Sequence, residues 1–281
     1  MIRLLISDID GTLVRHDKSL APATVAAVKA LVASGVAVSL ISARPPSGID
    51  WIVKELDLPG PFGAFNGGTL FLRDGSVAER HGLDPDTARS LVGLIEKAQI
   101  TCWVFADGKW YTNNADDPHN PREVLSAGVQ PVIVDDFAPL LDRVDKIVGV
   151  SDDAPRLAAL EKDAATLAGD RATVARSQVY YLDATAPVAN KGDGIARIAA
   201  AFGVALEDVL VIGDQANDLP MFARAGVSVA MGQASDAVKA QADHVTLAND
   251  DDGVAVAIAR LLDGALGDGR TVVKEAPPAA G

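Results

Sequence analysis

The sequence predicts an α/β protein, a doubly wound parallel sheet interrupted by an inserted α+β domain. Three observations carry this. Apolar runs of strand length alternate with helical periodicity over residues 1–60, and the same alternation resumes over 191–264. Between roughly 84 and 186 it gives way to a helix followed by paired strands, twice over.

The elements follow in order. Arg3–Ser7 is the first strand, and Pro22 opens a helix through Val25, Val28, Leu31 and Val32 that Gly35 terminates. Val36–Ile41 is a continuous apolar run, the pattern of a strand buried on both faces. A helix through Trp51, Ile52 and Leu56 follows, then a strand at Phe62–Phe65 meeting Asn66-Gly67-Gly68. Leu70–Leu72 and Ser76–Glu79 flank the turn Asp74-Gly75. In the insertion, a helix over Pro85–Ala98 precedes strands Thr101–Phe105 and Lys109–Thr112. A second helix over Pro155–Leu167 precedes strands Ala172–Arg176 and Val179–Asp183. The alternation then resumes with helix Gly192–Phe202, strands Val209–Ile212, Val227–Met231 and His244–Leu247, and a last helix Val254–Leu262. Domain limits follow: a discontinuous core over 1–83 and 187–266, the insertion over 84–186, and a disordered tail over 267–281 that lacks periodicity.

Composition narrows the function. With 49% apolar residues among 281, a sizeable core is available. A net charge of −13 disfavours nucleic acid and anionic lipid as partners, and any phosphate site must be made positive locally. No apolar run is long enough to span a bilayer, no secretory-leader pattern is present, and the single cysteine, Cys102, fits a cytoplasmic protein. Four scattered histidines and one cysteine assemble no zinc-type ligand set.

Four segments carry chemistry. Asp8 and Asp10 follow the first strand two residues apart, so they project to one side, and Gly11 permits the turn after them. Such acids cap a turn, hold a cation between them, or share a proton. Ser42-Ala43-Arg44 follows the second strand and reads either as a helix cap or as a hydroxyl and backbone N–H groups for phosphate. Lys191 sits at a helix start, against the macrodipole, as a solvated lysine or as a neutraliser of phosphate and nucleophile. Gly213-Asp214-Gln215-Ala216-Asn217-Asp218 follows another apolar strand, with Asp214 open to a metal and Asn217 or Asp218 available as N-cap, or as both. In open parallel sheets the carboxyl ends of strands form the ligand site, so these segments can meet.

In order and spacing these four segments resemble the motifs of the haloacid dehalogenase-like (HAD) phosphohydrolases. The long insertion resembles that of the Cof-type, subclass IIB branch with its C2B cap, and the resemblance covers residues 1–265. It implies a Rossmann-like core and a Mg²⁺-dependent phosphatase acting on small phosphorylated metabolites, sugar phosphates foremost, through an aspartyl-phosphate. By the same resemblance Asp8 is the nucleophile and Asp10 the general acid/base. The metal is held by Asp8, the Asp10 carbonyl and Asp214, with Asp218 supporting. The phosphate is held by Ser42, Lys191 and Asn217, with Gly11, Ala43 and Arg44 alongside. The branch more often carries Thr-Gly-Arg where this chain has Ser42-Ala43-Arg44. Serine keeps the hydroxyl, whereas alanine narrows the backbone freedom.

Two further readings share the motifs: a phosphotransferase or phosphomutase that passes the phosphoryl group to a second hydroxyl, and a catalytically silent metabolite-binding protein. Dehalogenase chemistry needs neither the Asp10 proton shuttle nor the metal and is set aside. The expected assembly is a monomer or weak homodimer. In the insertion, Trp103, Trp110, Tyr111, Tyr180 and Tyr181 could face a sugar or heterocycle, but Trp103 and Phe105 alternate as core residues of a small sheet do. His119 and Arg122 could reach a substrate, although Asn120, Pro121 and Glu123 read as an ordinary capping box. Asp183, shortly before Lys191, is a candidate acceptor for a substrate hydroxyl.

Overall fold

A computed structural model describes residues 1–266; the tail expected over 267–281 lies outside the described residues. The chain forms two units. The first comprises Met1–Ile41, Lys54–Phe62 and the chain from Lys191 onward; the second comprises Ser42–Val53 and Gly63–Asn190. The insertion expected over 84–186 lies within the second unit.

The first unit is built on a five-stranded parallel sheet. Its order is His244–Val245, Val227–Ala230, Val209–Gly213, Leu4–Ser7, Ala37–Leu40. Leu4, Leu5, Ile6 and Val209–Ile212 are at most 1% exposed, which is why these strands read as unbroken apolar runs. From Leu4–Ser7 the chain crosses outward in one direction through the helix Pro22–Ala33. From Val209–Gly213 it crosses in the other, through the short helices Leu219–Phe222 and Asp236–Lys239. Right-handed crossovers in opposite directions put helices on opposite faces, which makes the sheet doubly wound as the sequence predicts. Pro22–Ala33 packs with Gly253–Leu262, and Lys191–Ala201 with Leu219–Phe222. The strand order reverses between Leu4–Ser7 and Val209–Gly213, so Asp8 and Asp214 emerge side by side at the switch point.

The second unit holds a six-stranded sheet ordered Thr173–Gln178, Tyr181–Thr185, Val144–Val150, Thr101–Ala106, Lys109–Thr112, Val132–Ile133. Its pairs are antiparallel except the last, which is parallel. Helices Pro85–Lys97 and Ala154–Ala168 pack on each other and cover one face, with Leu91, Ile95, Val104, Ile147, Leu157 and Leu182 in the core. A three-stranded sheet of Phe62–Ala64, Thr69–Phe71 and Val77–Arg80 also forms.

Two expectations are corrected. Both expected strand pairs form, but the sheet they share is incomplete in the sequence reading: Val144–Val150, which the sequence pattern did not reveal, lies between the two pairs and joins them. Asp145 and Lys146 interrupt its apolar run, yet both are buried. Asp145 accepts from Arg80 Nε at 2.6 Å and from Thr69 Oγ1 at 3.4 Å. Asn120 is not an N-cap. The helix Asn120–Ala127 has His119 in that position, and Asn120 instead donates from Nδ2 to the carbonyls of Asn114 and Ala115.

Burial raises the Asp145 carboxyl above its usual range, with Arg80 and Thr69 opposing the rise. Arg80→Ala should therefore lower stability in urea denaturation by about 2 kcal/mol, discounted from a fully buried pair because Arg80 is one-third exposed. Without the guanidinium the carboxyl rises further, and the folded state then binds a proton the unfolded state lacks. The loss should be larger at pH 8 than at pH 5.

Candidate active site

Leu4–Ser7 ends where the Ser7 hydroxyl donates to the Asp8 carbonyl at 2.7 Å and the Asp8 N–H donates to Ile212 O at 2.9 Å. Asp8 is thereby fixed beside the neighbouring strand. Gly11 turns the chain with φ +79°; a Cβ there would lie 2.4 Å from Asp214 Oδ2, so only glycine admits the approach of Asp214. Gly213 serves Asp218 in the same way, since its Cβ would lie 2.4 Å from Asp218 Cγ.

Lys191, first residue of the helix Lys191–Ala201, is 1% exposed. Its ammonium donates to Asp8 Oδ1 at 2.5 Å and also to Asp218 Oδ1. It is thus no solvated surface lysine. Asp218 is completely buried and does two jobs. Its Oδ2 accepts the N–H groups of Asp214 and Gln215, each at 2.8 Å, in a reciprocal capping box around Ala216–Asp218, while Oδ1 holds Lys191. Asp214 accepts from Thr12 Oγ1 at 3.2 Å and Gln215 Nε2 at 3.0 Å.

One carboxylate oxygen from each of Asp8, Asp214 and Asp218 lies within 4.8 Å of the others, all on buried residues. Three acids thus face a single ammonium. Burial pushes the Asp8 carboxyl up to about 8; Lys191 pulls it down, while Asp218 and Asp214 add to the rise. Asp214 is raised by burial and by Asp218. Burial alone would lower Lys191, but Asp218 and Asp8 outweigh it and raise it. The cluster is short of positive charge. An all-oxygen donor set with surplus negative charge suits a hard divalent cation. With both Asp218 oxygens engaged by Lys191 and the backbone, Asp8 and Asp214 are the fitting ligands.

Asp10, half-buried, accepts from Lys18 Nζ at 2.6 Å. Asn217 is exposed on the single turn Ala216–Asp218. The first unit therefore contains Asp8, Asp10, Gly11, Lys191, Asp214, Asn217 and Asp218, whereas Ser42, Ala43 and Arg44 belong to the second. There Ser42 Oγ accepts the Arg44 N–H at 3.2 Å, and the buried Arg44 guanidinium donates to Gly48 O at 2.9 Å. The cap-like turn is thus formed at Ser42.

Sequence reasoning missed Thr12, Lys18, Gln215 and Gln233. Gln233 donates from Nε2 to Gly11 O at 2.5 Å and accepts the Asn249 N–H at 3.1 Å, bracing the Gly11 turn. It lies just past the carboxyl end of Val227–Ala230, so the strand-end rule could have found it. Lys18 carries no such signal.

A family model for haloacid dehalogenase-like hydrolases matches residues 5–258. The chain belongs to this family. Among solved structures, this HAD-like hydrolase is similar to a haloacid dehalogenase-like hydrolase from Bacteroides thetaiotaomicron, with TM-score 0.86 and 28% identity over 93% of this chain and all of that one. It is also similar to a HAD subclass IIB sugar phosphatase, with TM-score 0.80 and 25% identity over 92% of this chain and 98% of that one. Among curated relatives, an HMP-PP phosphatase of Klebsiella pneumoniae is 27% identical over 252 residues, 89% of this chain and 91% of its own length.

In the folded chain burial pushes the Asp8 carboxyl up to about 8, against 3.8 for a free aspartate. The folded state binds more protons across that window, so this group costs stability as pH rises through it. Asp8→Asn removes the cost. In chelating buffer its Tm should exceed that of the wild type by roughly 2–4 °C at pH 8 and converge with it as the pH falls to about 4, read by calorimetry.

Proposed function

We infer that this HAD-like hydrolase, a phosphatase of the subclass IIB branch, is Mg²⁺-dependent and hydrolyses small phosphorylated metabolites, sugar phosphates foremost, through a phosphoryl group carried on Asp8. The observation that carries the reading is the contact of a buried ammonium, Lys191, with a buried carboxylate, Asp8, at the end of the central strand. A nucleophile in that position is oriented by its backbone and faces a fixed positive charge, as phosphoryl transfer requires.

An Asp8 carboxylate oxygen attacks phosphorus and the ester P–O bond breaks. Asp10 gives its proton to the leaving alkoxide. Asp10 then takes a proton from water, whose oxygen attacks the same phosphorus; the P–O bond to Asp8 breaks and inorganic phosphate leaves. Lys191 neutralises charge on Asp8 and on the phosphoryl oxygens through both steps. Asp218 keeps Lys191 in place and fixes the backbone that presents Asp214. Mg²⁺ held by Asp8, Asp214 and the Asp10 carbonyl supplies electrostatic stabilisation of the transferring group. Asn217 and the Gly11 turn complete the phosphate contacts. The single cysteine, buried Cys102, supports a cytoplasmic setting.

Turnover of p-nitrophenyl phosphate should require Mg²⁺ and fall roughly a thousandfold or more in Asp8→Asn and Asp10→Asn, and by about a hundredfold or more in Lys191→Met. Wild-type turnover no higher than that of Asp8→Asn would refute the enzymatic reading. Product analysis with added glucose separates transfer to water from transfer to a second hydroxyl.

A further inference from the structure

Asp10 stands beside a flexible point in the backbone. Gly11 has to be glycine because Asp214 lies where a side chain would go, and glycine is the residue that restrains its own backbone least. Asp10 has to meet two partners in turn, the leaving oxygen and then a water, and a displacement of about 1 Å costs roughly a hundredfold in rate. The loop's own hydrogen bonds fold it on itself without fixing it to the sheet. The N–H groups of Thr12 and Val14 donate to Ile9 O at 3.3 and 3.1 Å, and Lys18, which holds the Asp10 carboxylate, belongs to the same loop.

Two side-chain amides supply the restraint from outside the loop. Gln233 and Asn249 lie past the carboxyl ends of Val227–Ala230 and His244–Val245. Gln233 donates from Nε2 to Gly11 O at 2.5 Å, and Asn249 donates from Nδ2 to Val14 O at 2.9 Å. One grip is thus on the residue after Asp10 and the other on Val14, to which Asp10 is joined by a β-bridge. Gln233 Oε1 also accepts the Asn249 N–H at 3.1 Å, so the two amides form one bracket. Its base is firm: the Gly232 N–H donates to Leu247 O at 2.9 Å, and Thr246 Oγ1 donates to Gly253 O at 2.7 Å. Farther along the loop, Asp250 accepts the His16 N–H and Asp252 accepts from Arg15, each at 2.9 Å. Those outer bonds keep the loop docked when the bracket is cut; what is lost is the placement of Asp10.

We propose that Gln233 and Asn249 are positioning residues for Asp10, an inference that rests on the phosphatase reading. Neither touches the reacting atoms. They set where Asp10 stands when it gives its proton to the leaving oxygen as the ester P–O bond breaks. They set it again when Asp10 takes a proton from the water whose oxygen attacks phosphorus as the P–O bond to Asp8 breaks. The residue type suits the task. A neutral amide grips a carbonyl through its N–H and offers its oxygen to the next loop, whereas an ammonium would compete for the Asp10 carboxylate. Gln233 is exposed, so its side chain fills no part of the core, yet both ends of its amide are engaged.

The test compares p-nitrophenyl phosphate with phenyl phosphate at saturating Mg²⁺ in the full chain carrying Gln233→Ala, Asn249→Ala or Gln233→Glu, the last keeping the shape and losing the donor to Gly11 O. p-Nitrophenolate leaves without a proton, whereas phenolate leaves far better with one. In each variant kcat/KM should fall about tenfold or more for phenyl phosphate and less than about threefold for p-nitrophenyl phosphate. Water still needs Asp10 in the second step. p-Nitrophenol should therefore appear as a burst of about one equivalent per chain, then at a steady rate about tenfold or more below the wild type, with phosphate retained on the acid-quenched protein. Melting temperatures of the Gln233 variants should stay within about 3 °C of the wild type. Equal losses on the two substrates, absence of the burst, or wild-type kinetics in both Gln233 variants overturns the proposal. Absence of turnover by the wild type overturns the phosphatase reading along with it.

Discussion

The site is organised around an ammonium group held out of water. Lys191 is the first residue of its helix, where the backbone dipole opposes a cation, and its surroundings are dry. Such a charge persists only when it is paired and hydrogen-bonded. Asp8 and Asp218 provide that pairing, and each was placed by something else: Asp8 by the end of the central strand, Asp218 by the turn it caps. The three residues thus lock the strand Leu4–Ser7, the helix Lys191–Ala201 and the loop after Val209–Gly213 to one another.

With Asp214 brought in through the opening at Gly11, the cluster contains more acid than base. That surplus is how an acidic protein prepares a place for phosphate: the chain supplies one fixed positive charge and a set of hard oxygen donors that invites a second. The raised Asp8 carboxyl records the imbalance. A proton and a cation are alternative ways to relieve it, which ties nucleophile ionisation to cation binding.

Much of this was legible in the sequence because parallel strands buried on both faces leave unbroken apolar runs, and because polar residues directly after such runs collect at one edge. Asp8 and Asp214 stand out by those two rules, and Lys191 by its place at a helix start against the macrodipole. What stayed hidden follows from the same physics. Val144–Val150 is fully buried but carries Asp145 and Lys146, whose burial depends on partners distant in sequence, so the strand's pattern was broken. Asn120 had the residue type of a cap, but its amide is used by the loop at Asn114–Ala115. Lys18 reaches Asp10 from a loop where a lysine looks like any solvated charge.

The account's central claim is that Asp8 and Asp214, beside Lys191, hold the divalent cation that the surplus of buried carboxylates invites. Calorimetric titration of the metal-free chain with Mg²⁺ at pH 7 measures this directly. The account predicts saturable binding in the wild type, weakened about tenfold or more in Asp8→Asn and in Asp214→Asn. No saturable binding by the wild type, or equally tight binding by both variants, would contradict it.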